Sequence, residues 1–222
     1  HQSPRFLDLG GDSSDSGSAA PEAFEAGDAL ARAMKISRQQ QDEYVWRTHM
    51  RTSMARDAKR FLKEIVPLRP VAEEARDQSA GEPDLSEIQA VPALQAKGSL
   101  TQASVSHLHD GAAFVVVVAE DVWLQMGKPP ALELMACAAV GSSPKEVATS
   151  AIAALRRLSA RSNGLELKSL DLVEMSERSA AEAIALRDTL GISDDALNPD
   201  GGAVARGLPR IPASGWCCPA CC

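Results

Sequence analysis

The sequence predicts a layered α/β protein, and three observations carry that prediction. Phe114 leads into four consecutive valines at 115–118, a β-branched run that reads as a strand buried on both faces. Helical patterns with apolar side chains on one face alternate with such runs through the second half of the chain. Apolar residues make up 45% of the 222 residues but aromatics only 4%, so the core must be assembled mainly from Ala, Val, Leu and Ile.

Taken in order, residues 1–20 are rich in Ser, Gly and Asp and read as a flexible lead-in. A helix is expected from about residue 22 to 34, with Phe24, Ala29, Leu30 and Ala33 sharing a face. Ser37, with Gln40 three residues on, forms a capping-box pattern that opens a second helix running to about residue 59. Arg38, Arg47, Arg51 and Arg56 crowd its polar side, which reads first as a solvated face and second as an attraction for nucleotide phosphates. Residues 64–68 look extended, and residues 69–98, punctuated by Pro70, Pro83 and Pro92, read as a long connection.

The valine strand follows, then a helix at about 120–126, stopped by Gly127, Lys128, Pro129 and Pro130. Residues 131–140 form a second expected strand, in which Cys137 reads as a small buried apolar residue. Pro144 opens a helix to about residue 158, with Val147, Ala151, Ala154, Leu155 and Leu158 on one buried stripe. Residues 170–175 are a third strand and 179–190 a further helix, closed by Gly191. Asn198, Pro199, Asp200, Gly201 and Gly202 then make a turn able to bring backbone close to a ligand.

Net charge of -7 argues against nucleic acid or an anionic membrane as the main partner, and no apolar run is long enough to span a bilayer. The opening residues show no basic-then-apolar leader, so the expected location is cytoplasmic, or organellar where a targeting segment precedes residue 1. Cys217, Cys218, Cys221 and Cys222 crowd the end. They read as an unstructured tail, with a zinc or redox site, or a product of a changed reading frame, as alternatives. The expected metal complement is none; His107 and His109 lie two apart without a carboxylate third ligand.

Five short motifs in sequence order resemble those of the thiolase family. They are Ile36–Ser37–Arg38–Gln39–Gln40–Gln41–Asp42 at a helix opening; Phe61–Leu62–Lys63–Glu64–Ile65–Val66–Pro67; and Ser104 through Ala112, similar to the family's Asn-Ala-Ser-Gly-x-Asn-Asp-Gly-Ala loop. Asp171 through Ala180 resembles the strand and Asn-Glu-Ala-Phe loop, and Asn198 through Pro209 the Gly-Gly-x-x-x-x-Gly-His-Pro loop. The likeness spans about residues 22–215.

The resemblance implies a thiolase-like half, a mixed five-stranded sheet flanked by helices, joined to a helical loop domain. The expected divisions are a lead-in at 1–20, a loop-domain region and connection at 21–98, an α/β domain at 99–215 and a cysteine-rich tail at 216–222. It also implies an acyltransferase of fatty-acid metabolism, with coenzyme A or an acyl-CoA as ligand and no permanently bound cofactor. Family chemistry uses a cysteine nucleophile, an activating histidine and fixed donors for the oxyanion. The nucleophile belongs to an N-terminal half without counterpart in this sequence. The family's histidine corresponds to Leu208, its loop asparagine to Ser176, and its glutamate to Glu177. Ser106 falls where the family's serine meets the pantetheine arm, with His107 beside it. The expected state is therefore inactive alone, either a CoA-binding or oligomerising module or a fragment completed by a partner half.

Overall fold

The computed structural model describes residues 21–66, 81–109, 111–162 and 165–209. Helix α1 (Pro21–Ala33) begins on a proline, whose missing N–H costs nothing in a first turn, and ends where Lys35 adopts a left-handed conformation (φ 55°). Helix α2 (Arg38–Asp57) opens on the Ser37 capping box: the Ser37 side chain accepts from the Gln40 N–H, and Gln40 Oε1 accepts from the Ser37 N–H at 2.8 Å. A short 3-10 turn (Arg60–Lys63) follows, so the stretch read as extended from residue 64 begins with helical backbone and continues outside the described residues beyond 66.

The expected connection at 69–98 contains helix α3 (Leu85–Ala90), capped by Asp84 with Glu87 reaching back to the cap backbone. The three prolines obscured a capping box that was present in the sequence. Strand β1 (Leu108–His109) pairs in parallel with β2 (Leu208–Pro209), placing Leu108 opposite Leu208 and His109 opposite Pro209. Helix α4 (Glu120–Gln125) stands where expected, a 3-10 turn (Pro144–Thr149) leads into α5 (Ser150–Arg161), and α6 (Ala180–Leu190) runs from its Ser179 cap to a left-handed Gly191. A final turn of helix, α7 (Ala203–Arg206), carries the chain into β2.

The core centres on α6, where the alanines and Ile184 and Leu186 are all buried. Alanine on this helix lets α1 and α2 approach closely, and Ile36, Tyr44, Val45, Leu100, Val105 and Leu197 close the remaining space. Ala148 and Ile152 are buried from the α5 region, and Val147, Ala151 and Leu155 pack beside them, so the expected stripe is realised in part. Buried Asp28 on α1 accepts from the Ser99 N–H at 2.7 Å and the Leu100 N–H at 3.1 Å, tying that helix to the loop before the site. No described helix is long and apolar enough to cross a membrane.

The expected sheet is where sequence and structure part. Residues 111–119 and 131–140 form neither helix nor strand and make no strand pairing among the described residues, and their side chains are mostly exposed rather than central in a sheet. Val173 keeps one parallel bridge to Leu197 in place of a third strand. Cys137, expected in the core, is exposed for the same reason. A strand buried on both faces needs neighbours on both edges and layers above and below, and periodicity reports only the demand for them.

The α2 arginines correct a second expectation, since they neither coat a solvated face nor wait for phosphate. Arg38 pairs with Asp42 and donates to the carbonyls of Ile88 and Val91 at the end of α3. Arg47 pairs with Asp194, and Arg51 donates to the carbonyls of Asp194 and Leu197. Arg56 meets Glu82 at 3.1 Å. Each guanidinium holds a distant segment against α2, and those partners come together only in the tertiary structure.

Candidate functional site

Three loops converge beside the start of α6. The first is 104–109, fixed by a Thr101–Ser104 turn in which the Thr101 hydroxyl accepts from the Ser104 N–H and Ser104 Oγ accepts from the Thr101 N–H. The second is 173–179, which leads into the Ser179 cap of α6. The third runs from Asn198 through α7 to β2.

Ser106 is buried and binds the second loop twice: its N–H donates to the Arg178 carbonyl at 2.9 Å, and its hydroxyl donates to the Glu177 carbonyl at 2.6 Å. That donation leaves the hydroxyl oxygen as an acceptor. His107 is exposed, with its Nδ1 at 3.3 Å from the Gln102 side-chain amide. Its carbonyl accepts from the Leu208 N–H at 2.8 Å, bringing the position expected to hold imidazole directly beside the Ser106 loop.

Glu177 is the knot between the second and third loops. Its carboxylate is fully buried and accepts from the Tyr44 hydroxyl at 3.2 Å, the Asn198 Nδ2 at 3.0 Å and the Val204 N–H at 3.1 Å. Asn198 also accepts from the Met175 N–H through its Oδ1 at 2.7 Å. Burial pushes the Glu177 carboxyl up to about 7, against hydrogen bonds that pull it down. Burial likewise lifts Glu182 to about 7, opposed by Arg178, and raises the Tyr44 phenol well above its ordinary value, with the Glu177 charge adding to the effect. Ser176 lies half-buried at the mouth of this loop.

Gly202 makes this arrangement possible, because a Cβ there would sit 2.1 Å from Glu177 Oε1 and 2.4 Å from Asn198 Nδ2. Gly207, with φ at +85°, does the same for His109: a Cβ would fall 1.7 Å from its ring Cδ2. An imidazole therefore lies over the glycine just before Leu208, although it comes from the first loop. Among the described residues no group of three metal-ligating side chains forms, and the terminal cysteines lie outside them. His49, whose Nδ1 is 3.1 Å from the Gly81 carbonyl, is held below its usual range by burial beside an open, largely apolar cavity of about 460 Å³ between α2 and α3.

The structure thus joins Ser106, Glu177 and Leu208 in one place, with His107 at its rim. Tyr44, Asn198 and Gly202 were not singled out by side chain from the sequence, although the Asn-Pro-Asp-Gly-Gly turn marked the segment.

Comparison with known proteins accounts for this convergence. Residues 22–121 match the family described as thiolase, N-terminal domain, and residues 128–217 match thiolase, C-terminal domain. The chain belongs to the thiolase family. It is 31% identical over 195 residues to the 3-oxoadipyl-CoA/3-oxo-5,6-dehydrosuberyl-CoA thiolase of Escherichia coli (strain K12), covering 83% of this chain and 48% of that one. It is 32% identical over 195 residues to the acetyl-CoA acetyltransferase of Paracoccus denitrificans, covering 84% of this chain and 49% of that one.

Among solved structures, human mitochondrial 3-ketoacyl-CoA thiolase in complex with CoA superposes with a TM-score of 0.75 at 26% identity, covering 84% of this chain and 48% of that one. The architecture is accordingly the α/β thiolase fold, and the chain spans about half the length of these relatives.

Proposed function

We propose that this thiolase-family chain is a coenzyme A-binding half that does not carry out acyl transfer by itself. The observation behind the reading is the junction of the Ser106, Glu177 and Leu208 loops. It brings Ser106, the position the resemblance assigns to the pantetheine arm, beside Leu208, an aliphatic side chain where the resemblance calls for an imidazole. Leu208 has no atom to take a thiol proton or polarise a thioester carbonyl. Glu177 titrates near neutrality but all its bonds point inward, so it positions the loops and does not exchange protons with a ligand. The Ser106 hydroxyl oxygen can accept an amide N–H of a pantetheine arm, and His107 borders the same edge.

Titration calorimetry with free CoA tests the binding, and Ser106→Ala should weaken it about tenfold, the effect of losing one hydrogen bond of about 1.4 kcal/mol. Unchanged affinity in that variant removes the assigned contact. Thiolysis of acetoacetyl-CoA by the chain alone should be undetectable, and measurable turnover refutes the inactive reading.

A second reading follows from the half-length match. The chain then contributes to an acyltransferase, acting on 3-oxoacyl-CoA thiolysis or acetyl-CoA condensation, that is completed by a partner polypeptide or by assembly with its own kind. The compartment that suits either reading is cytoplasmic or organellar.

A further inference from the structure

We infer that Arg178 sets which ligands the Ser106 edge accepts: its guanidinium takes an anionic oxygen group of a bound coenzyme A compound, a phosphate or a carboxylate ending the acyl chain. The inference rests on the CoA-binding reading above and adds to it a residue that discriminates among such ligands. In the Asn-Glu-Ala-Phe loop of the resemblance, the alignment that sets Glu177 on the glutamate sets Arg178 on the alanine. A cation therefore stands in this chain where the motif has a methyl group.

Backbone pairing puts that cation beside the assigned contact. Val105 and Ser179 form an antiparallel bridge, which makes Ser106 and Arg178 the next directly opposed pair. The Ser106 N–H donates to the Arg178 carbonyl at 2.9 Å, as that register requires. Opposed residues of an antiparallel pair project to one side, with Cβ atoms about 5 Å apart. Successive side chains alternate, so Ser106 and Arg178 lie on the side opposite the buried Val105 and Ser179.

The guanidinium is loosely held. Its side chain is 42% exposed, its Nη2 donates to the Val147 carbonyl at 3.3 Å, and its Nε lies 3.7 Å from Glu182 Oε2, beyond hydrogen-bond reach. Most of its N–H donors therefore stay open to a ligand, in the planar fork that matches carboxylate and phosphate. The arginines of α2, by contrast, are tied to carbonyls and carboxylates of distant segments. Burial holds Glu182 up to about 7, so at neutral pH its charge offsets Arg178 only in part. Helix α6 begins at Ala180, and the partial positive charge of its N-terminus adds to that of the guanidinium.

Calorimetric titration of the full chain and two variants tests the inference, with pantetheine, CoA, butyryl-CoA and succinyl-CoA as probes. Pantetheine carries the arm without phosphates, and the two thioesters differ by a terminal carboxylate. Arg178→Gln should bind the probes that carry the recognised anion about tenfold more weakly and bind pantetheine as the parent does. A loss shared by CoA and both thioesters identifies the anion as a phosphate, and a loss confined to succinyl-CoA identifies it as the acyl carboxylate. Arg178→Lys keeps the charge without the fork and should fall between the parent and the glutamine variant. Both variants should keep the circular dichroism of the parent. An equal loss with pantetheine means that Arg178 only shapes the loop, and it overturns the inference. So does a glutamine variant that matches the parent on every probe, or a lysine variant that binds no better than the glutamine one. The two ideas fail differently: a parent that binds no probe removes the CoA reading and Arg178's role with it, whereas equal binding by parent and glutamine variant removes Arg178's role only.

Discussion

Stability should fall as pH rises from about 5 to about 8, the reverse of the behaviour of a protein held by salt-bridged carboxylates. The cause is Glu177, whose carboxyl stands at about 7 in the fold against an ordinary 4.5. Between those values the folded protein binds a proton that the unfolded chain has released. The resulting stabilisation is whole below the unfolded value and is lost as pH climbs through the folded one. A difference of 2.5 units, from 7 minus 4.5, corresponds to about 3 kcal/mol. At about 2–4 °C per kcal/mol for a chain of this size, the melting temperature should drop by roughly 6–12 °C across that interval. Glu182 is raised in the same direction and steepens the fall, whereas His49, which burial keeps neutral in the fold, opposes it toward the acid end. The assay is calorimetric melting at constant ionic strength from pH 5 to pH 8, with Glu177→Gln alongside. The variant keeps a side chain of the same shape, cannot ionise, and should show a visibly flatter profile. A melting temperature that is level or rises over this range refutes the burial argument.

Three further substitutions probe the packing around the site. Gly202→Ala forces a methyl into the Glu177 carboxylate and should destabilise the protein by about 2–4 kcal/mol in urea titrations, summing overpacking and a displaced hydrogen bond; a loss under about 1 kcal/mol means the Glu177 loop yields freely. Arg51→Ala releases the carbonyls of Asp194 and Leu197 and should cost about 1–3 kcal/mol, with faster amide exchange localised to residues 192–198. Asp28→Ala leaves the Ser99 and Leu100 amides without their acceptor and should cost about 2–4 kcal/mol, an effect that Asp28→Asn recovers in part because its carbonyl oxygen can still accept.

Local chemistry made several elements legible in the sequence. Ser37 with Gln40 announced α2, and Ser179 with Gly191 bracketed α6, because caps are decided by a few adjacent residues. The same signal at Asp84 and Glu87 announced α3 but was masked by the surrounding prolines. The valine run reads as a strand buried on both faces, but a β-branched run does not provide neighbours, and Val116 faces solvent. The arginines of α2 failed in the opposite sense: their spacing describes a polar face, while their partners Asp194, Leu197 and Glu82 lie far off in sequence. The site divides in the same way. Ser106, Glu177 and Leu208 were readable as motif positions, whereas the Tyr44–Glu177–Asn198 network depends on three segments meeting, and no spacing rule contains it.

Asn198 combines a left-handed backbone with a buried amide whose two ends are both engaged, and the next residue is Pro199. Spontaneous deamidation normally begins when the following main-chain nitrogen, stripped of its proton, closes a five-membered imide on the side chain. Proline has no such proton to lose. The amide at the hub of this junction is thereby shielded from the commonest route of chemical ageing, so a preparation stored for weeks should keep its loop architecture while asparagines on exposed turns drift toward aspartate.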